Sequence, residues 1–190
     1  MTWRTTFPPE RSDSATDNPD ELFDLVDERD TVIGVVRRGE AHRNPALIHR
    51  SAQTLVFDGA GRALLQLRSA RKDLYPGYYC ASASGHVIAG DTYEATARRE
   101  LEEELGVSAA LTELGVRLVR SQLETEMTAL FVARCDGPFR FNRIETDGGA
   151  FFTWDALLAA RVRLPMTPAL VTALDEVERR RAAGTFSLPS

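Results

Sequence analysis

The chain has 190 residues, 43% hydrophobic and 27% charged, a composition that suits one globular domain with short extensions. A formal charge of −5 gives no support for a nucleic-acid-binding surface, and the two cysteines, Cys80 and Cys135, lack metal-type spacing and imply no disulfide framework. No apolar run approaches the roughly 20 residues of a membrane span and no apolar signal segment opens the chain, so the expectation is a cytoplasmic protein without membrane contact.

Residues 1–20 are polar and proline-bearing and read as a flexible tail. "LFDLV" (22–26) and "TVIGVV" (31–36) flank "DERD" as strand, turn and strand. "SAQTLVF" (51–57) and "ALLQLR" (63–68) flank "DGAGR", and an Asp-Gly turn between apolar runs predicts a β-hairpin. "YYCASASG" (78–85) reads as extended, entered through Pro76-Gly77. Asp91 and Glu94 form a capping-box pattern, Ala97, Leu101 and Leu105 repeat at helical spacing, and Gly106 supplies a stop, which predicts a helix over 91–105. "LGVRLVRS" (114–121), "MTALFVARC" (127–135) and "GAFFTW" (149–154) read as strands. Thr167-Pro168 opens a last helix, carrying Leu170, Val171, Leu174 and Val177 and closing through Arg179–Arg181 and Gly184. The expected organisation is one mixed α/β domain over 21–184, with a short tail at 185–190.

The predicted central helix is crowded with acid. Glu100, Glu103 and Glu104 stand at i, i+3 and i+4 and share a face, whereas Glu102 points elsewhere. Like charges at these spacings repel by about 0.2–0.5 kcal/mol per pair. Hard divalent cations such as Mg²⁺ prefer oxygen ligands and would relieve that repulsion; a solvated acidic face is the plainer alternative.

Gly85, Asp91, Arg99-Glu100-Leu101, Glu103-Glu104 and Gly106-Val107 together resemble the Nudix box, with Asp91 where the box normally has Glu. Arg68 and Tyr75-Pro76-Gly77 precede the box as in many members. The resemblance covers roughly residues 20 to 160 and implies a Nudix α/β/α sandwich with a mixed β-sheet. It further implies hydrolysis of a diphosphate linkage, in a nucleoside diphosphate derivative or another small-molecule diphosphate, by metal-activated water. Glu103 and Glu104 would bind Mg²⁺ or Mn²⁺, Glu100 would act as ligand or base, and Arg99 would hold a box carboxylate. Many members recruit a further metal-binding acid before the last short strand, where "RIETDGGAFF" offers Glu145, the preferred one, and Asp147.

The chain's three histidines, His42, His49 and His86, with Glu124 and Glu126, form a second constellation. It resembles the type 1 isopentenyl-diphosphate isomerases, a Nudix branch that binds a divalent metal through three His and two Glu. His42 and His49 differ by seven positions, His86 follows the box glycine, and Glu124-Thr125-Glu126 precedes a strand, as in that branch. The resemblance implies a second site for Mg²⁺, Mn²⁺ or Zn²⁺, with Arg68, Lys72 and Arg38 binding diphosphate. Two departures count against isomerase chemistry. Ser84 stands where those enzymes have their catalytic Cys, and Glu100 is kept where they often carry a basic residue. Cys80 lies four residues before Ser84, about 13 Å away on a regular strand. A diphosphohydrolase is therefore the first expectation, an isomerase-like enzyme the second, and a non-catalytic nucleotide or metabolite sensor the third, as a monomer or homodimer.

Overall fold

The structure is a computed structural model and describes residues 18–188; of the expected N-terminal tail, 1–17 lie outside the described residues. Strands β1 (Leu22–Val26) and β2 (Val32–Arg37) form the first antiparallel pair, where the sequence pattern put them. Helix α1 (Arg38–Ala41) follows as a single turn that carries no periodic signal. Strand β3 (His49–Phe57) is the axis of the sheet: it pairs parallel with β8 (Thr125–Arg134) over its whole length and antiparallel with β1.

The predicted hairpin forms, but only at its closed end. β3 meets β4 (Ala63–Arg68) at Val56↔Leu64 and Phe57↔Ala63, and the two strands then diverge. Ser82 spans the gap, its hydroxyl accepting from Val56 N at 2.7 Å and donating to Leu64 O at 2.5 Å. The single extended segment expected over 78–85 is consequently two strands. β5 (Tyr79–Cys80) pairs with β4, and β6 (Ala83–His86) pairs with β3. Strand β7 (Leu111–Arg120) pairs with β8, and β9 (Thr146–Phe152) with β4.

Alternating side chains send the two sheet faces to different helices. Leu55, Phe57, Leu65, Leu130 and Val132 pack with Leu170, Ala173, Leu174 and Val177 of α4 (Pro168–Ala182). Val56, Leu64, Ala83 and Ala133 pack on the opposite side with Leu101 and Leu105 of α2 (Tyr93–Leu105). This is the α/β/α arrangement expected, with a mixed sheet between its helices. Helix α2 starts later than predicted. Asp91 N is bonded to Ile88 O in the preceding turn, so Thr92, not Asp91, is the N-cap, its hydroxyl accepting from Ala95 N at 3.2 Å. At the other end Gly106 adopts φ 66°, the left-handed stop its position called for. The last strand lies earlier than predicted, starting at Thr146 and ending at Phe152: Thr153 caps α3 (Trp154–Ala160), so Trp154 is helical.

Helix α4 is tied to β7 by a buried carboxylate. Glu176 accepts from Arg179 at 2.6 Å, Arg180 at 2.6 Å and Arg117 at 2.8 Å, while Arg180 also reaches Leu114 O at 2.8 Å. The Arg179 hydrogen bond, followed by those of Arg180 and Arg117, holds Glu176 down to about 2. A depressed carboxyl stabilises the fold above its unfolded value of 4.5 and loses that contribution as pH falls towards 2. With the arginines partly solvent-screened, Glu176→Gln should cost about 1–2 kcal/mol at neutral pH. An unchanged urea midpoint at pH 7, or a difference that does not shrink as pH falls from 5 towards 2, would contradict this.

Candidate active site

The gap between β3 and β4 opens into a cavity of about 1410 Å³ whose walls carry Glu100, Glu103 and Glu104 of the first constellation and His86, Glu124 and Glu126 of the second. On the α2 side, Glu100 and Glu104 are buried and Glu103 stands exposed at the rim. Glu104 accepts from Gln66 Nε2 and from the Ser84 N–H, each at 3.0 Å. Arg99 grips Glu100 at 2.8 Å and Glu103 at 3.0 Å. Gly85 of β6 lies flat against the Glu100 carboxyl. Burial pushes Glu100 up to about 7 against the pull of Arg99, with Glu103 and Glu145 adding to the rise. Burial also raises Glu104 well above the ordinary carboxylate range, helped by Glu100 and Glu145. Two buried, mutually repelling carboxyls in one wall are a donor set that a hard dication fits. Glu145 lines the same cavity, bonded to Lys72 Nζ at 2.7 Å, whereas Asp147 is exposed and accepts from Ala70 N at 3.2 Å.

Register explains the second cluster. His49 is partnered with Glu126 across β3 and β8, and Ser51, two residues on, is partnered with His86 of β6. Residues two apart share a face, so His49, His86, Glu126 and Glu124 gather on one side of the sheet. His42 joins them from the end of α1. His42, His49, His86 and Glu124 each present a ligand atom within 4.8 Å of the others. Glu124 Oε2 is 3.8, 4.0 and 3.8 Å from the Nε2 atoms of His42, His49 and His86, and Glu126 Oε1 is 3.5 Å from His86 Nε2. Phe23 stacks on His49 and His86 with ring centroids 5.2 and 4.8 Å away. His42 Nε2, His49 Nε2 and Glu124 Oε2 are buried without a hydrogen-bond partner among the described residues, which fits a cation site. Burial holds His49 down to about 4 and pushes His86 well below its usual value; it raises Glu124 to about 7 and, with Glu124 adding, Glu126 to about 8.

Between the two clusters lie Arg68, Ser84 and Cys80, all on the cavity wall. Arg68 donates to Leu74 O at 3.1 and 3.0 Å, and its guanidinium is held charged against burial by Cys80, Glu104 and Glu124. The 13 Å separation expected between Cys80 and Ser84 is wrong. The chain crosses from β4 to β3 at Ala81-Ser82 instead of running straight, which brings the Cys80 thiol beside Arg68 and Ser84. Burial pushes that thiol up to about 11. Arg38 is buried against His86, Glu21 and Asp73. Sequence reasoning missed Asp73, Gln66 and Phe23. Only Asp73 had a signal, its place beside Lys72 before the Tyr75-Pro76-Gly77 turn.

The NUDIX domain family model matches residues 47–172. The chain belongs to the Nudix family. A Pseudomonas aeruginosa protein described as an uncharacterized Nudix hydrolase is 37% identical over 81% of this chain and 91% of its own length. An isopentenyl-diphosphate Δ-isomerase of Streptomyces avermitilis is 35% identical over 81% of this chain and 82% of its own. Another, from Nocardia farcinica, is 46% identical over 49% of this chain, a match that spans 53% of that relative. Among solved structures, DR0079 of Deinococcus radiodurans superposes with a TM-score of 0.70 at 27% identity, over 80% of this Nudix chain and 97% of its own. No helix among the described residues is long and apolar enough to cross a membrane.

The buried acids of this Nudix protein make its metal-free stability depend on pH. Glu100 and Glu124 at about 7 and Glu126 at about 8, with Glu104 also raised, start from an unfolded value of 4.5. The folded chain therefore holds more protons than the unfolded one, and stability falls as pH rises through that window. His49 and His86, lowered from 6.5, act in the opposite sense only below 6.5. Between pH 6.5 and 8 the melting temperature in EDTA should drop, and Mn²⁺ at pH 8 should reverse the drop while releasing protons. A midpoint that rises with pH in EDTA would contradict the burial of these groups as acids.

Proposed function

We propose that this protein hydrolyses a diphosphate linkage in a small metabolite, with Glu100, Glu103, Glu104 and Glu145 holding Mg²⁺ or Mn²⁺. The observation that supports this most is the Glu100 carboxyl, poised near neutrality in the cavity wall between Gly85 and Arg99. A dication held there would neutralise phosphate charge and acidify water. Glu100 then takes the proton from the attacking water on its carboxylate. Gln66 and the Ser84 N–H orient Glu104, and Arg99 keeps Glu100 and Glu103 from splaying apart. Lys72 and Arg68 bring positive charge to the cavity for the diphosphate, and the His42, His49, His86, Glu124 and Glu126 cluster takes a second divalent cation, Mg²⁺, Mn²⁺ or Zn²⁺. A panel of nucleoside diphosphate derivatives and simpler diphosphates, assayed with Mg²⁺ and Mn²⁺, tests the reading. Cleavage by the wild type that is lost in Glu103→Gln supports it, and cleavage undiminished in Glu103→Gln or Glu104→Gln removes the box from the mechanism.

One observation favours a second reading, isomerisation of an isoprenoid diphosphate. The Cys80 thiol beside Ser84 keeps its proton at neutral pH and faces the same cavity as Glu126. A thiol giving a proton to the terminal carbon of a double bond, and the Glu126 carboxylate taking one from the allylic carbon beyond the other alkene carbon, would shift the bond by one position with no net change in protons. Intact hydrolytic carboxylates rank this reading second. Proton NMR of isopentenyl diphosphate incubated with the wild type and with Cys80→Ser and Ser84→Cys decides it. Wild-type conversion lost in Cys80→Ser would place isomerisation first.

A further inference from the structure

A row of polar side chains from β3 faces the cavity. His49, Ser51 and Gln53 alternate onto one side of the strand, and cross-strand register sets Gln53 against Ser84 of β6. Adjacent strands lie about 4.8 Å apart, so Gln53 stands one strand beyond Ser84, on the side away from β4 and Arg68. Ser51 and Thr128 satisfy each other, their hydroxyl oxygens 2.9 Å apart. Gln53 is only 3% exposed, and one contact sets its amide: Nε2 donates to Ala169 O, in the first turn of α4, at 2.8 Å. A carbonyl only accepts, so the amide nitrogen is fixed on that side and Oε1 is turned to the other.

Gln53 Oε1 accepts no hydrogen bond from any described residue, yet it is not one of the enclosed polar atoms. It opens on the cavity, which Gln53, Ser84, Thr167 and Ala169 all line. Pinning α4 to the sheet uses the amide nitrogen alone, and no described residue uses the oxygen. Covering such an oxygen with hydrocarbon strips its water and returns no hydrogen bond, a loss of about 10- to 100-fold in affinity. A hydroxyl placed there restores the bond.

Resting on the reading that the cavity takes a diphosphate, we infer that Gln53 is a specificity-determining residue: the organic group on that diphosphate carries an O–H or N–H donor that reaches Gln53 Oε1. With the phosphates at Arg68 and Lys72, the group crosses Ser84 and ends over β3. A site built to hydrogen-bond a substrate rejects the analogue lacking that group far more strongly than an apolar pocket rejects an added hydroxyl. The class favoured is a hydroxylated diphosphate, a sugar or polyol ester. An isoprenoid diphosphate, all hydrocarbon beyond its phosphates, is disfavoured by the same atom. Gln53 touches the substrate, and the Ala169 bond only aims it.

Calorimetric titration of the full chain in Mn²⁺ tests this with uncleavable ligands, butyl methylenebisphosphonate and its 2,3- and 3,4-dihydroxy derivatives. The wild type should bind the better diol about 10- to 100-fold more tightly than the butyl compound. In Gln53→Met, similar in volume but without the amide, that preference should disappear. The variant also loses the Ala169 bond, so its urea midpoint is read alongside: a lowered midpoint with the preference intact makes Gln53 a strut between β3 and α4 and overturns the inference. Equal or tighter binding of the butyl compound by the wild type overturns it with no variant needed. Selective binding of a diol by a protein that cleaves no diphosphate supports the inference while removing the hydrolytic reading. Failure of all three ligands to bind overturns the diphosphate reading and this inference with it.

Discussion

Glu100→Gln should lower kcat/KM for diphosphate cleavage by about 10²–10⁴-fold, the usual contribution of a general base. The rate of the wild type should fall at acid pH as Glu100 takes up a proton, and that limb should vanish in the variant. Stability separates this role from a structural one. Glu100 is a buried carboxyl whose ionisation is opposed by its surroundings, so a neutral isostere should leave the metal-free protein as stable as the wild type, or more so, at pH 8. A variant that keeps full activity, or one that loses activity only by unfolding, would remove Glu100 from the chemistry.

Gly85→Ala should come close to that loss without touching a carboxylate. An alanine Cβ would lie 2.0 Å from Glu100 Oε1, 2.3 Å from its Cδ and 2.9 Å from its Cγ. Glu100 cannot yield by a small rotation, since Arg99 holds it at 2.8 Å and the site is buried. The side chain must leave its position. A misplacement of that size costs about 10²-fold in rate, and overpacking costs about 1–3 kcal/mol in stability. Because both substitutions remove the same group, their effects should not add: Gly85→Ala in a Glu100→Gln background should change the residual rate little. Half or more of wild-type activity in Gly85→Ala would mean that Glu100 can work from elsewhere.

How far the sequence reached depended on whether a signal was local. β1, β4, α2 and α4 were legible because periodicity and end residues agree there, as with Thr167-Pro168 and Gly106. The box and the five His and Glu positions were legible as spaced motifs, and pairing across β3 brings the latter together. The divergence of β3 from β4 was not legible. It rests on Ser82 bonding to two strands at once, and a serine between alanines carries no trace of that. The error over Cys80 follows directly, since a straight strand was assumed through the crossing. The N-cap was misplaced for a smaller reason: Asp91 and Thr92 are both good caps, and only the Ile88 turn decides between them. The Nδ1 partners of the histidines lay out of reach because Arg38, Leu47 and Asp73 come from three separate segments.

β6 is four residues long, yet it supports both clusters. Ser84 gives its N–H to Glu104, Gly85 backs Glu100, and His86 stands among the imidazoles. It works as a common axle, so a shift along it moves both clusters together and neither can be retuned alone by sliding the strand. Side-chain exchange on a fixed backbone is the remaining freedom, and residue 84 is where it is available. Divergence between bond cleavage and double-bond migration in this scaffold should then be written in single side chains on β6 and in the acids of α2, while the path of the main chain stays the same.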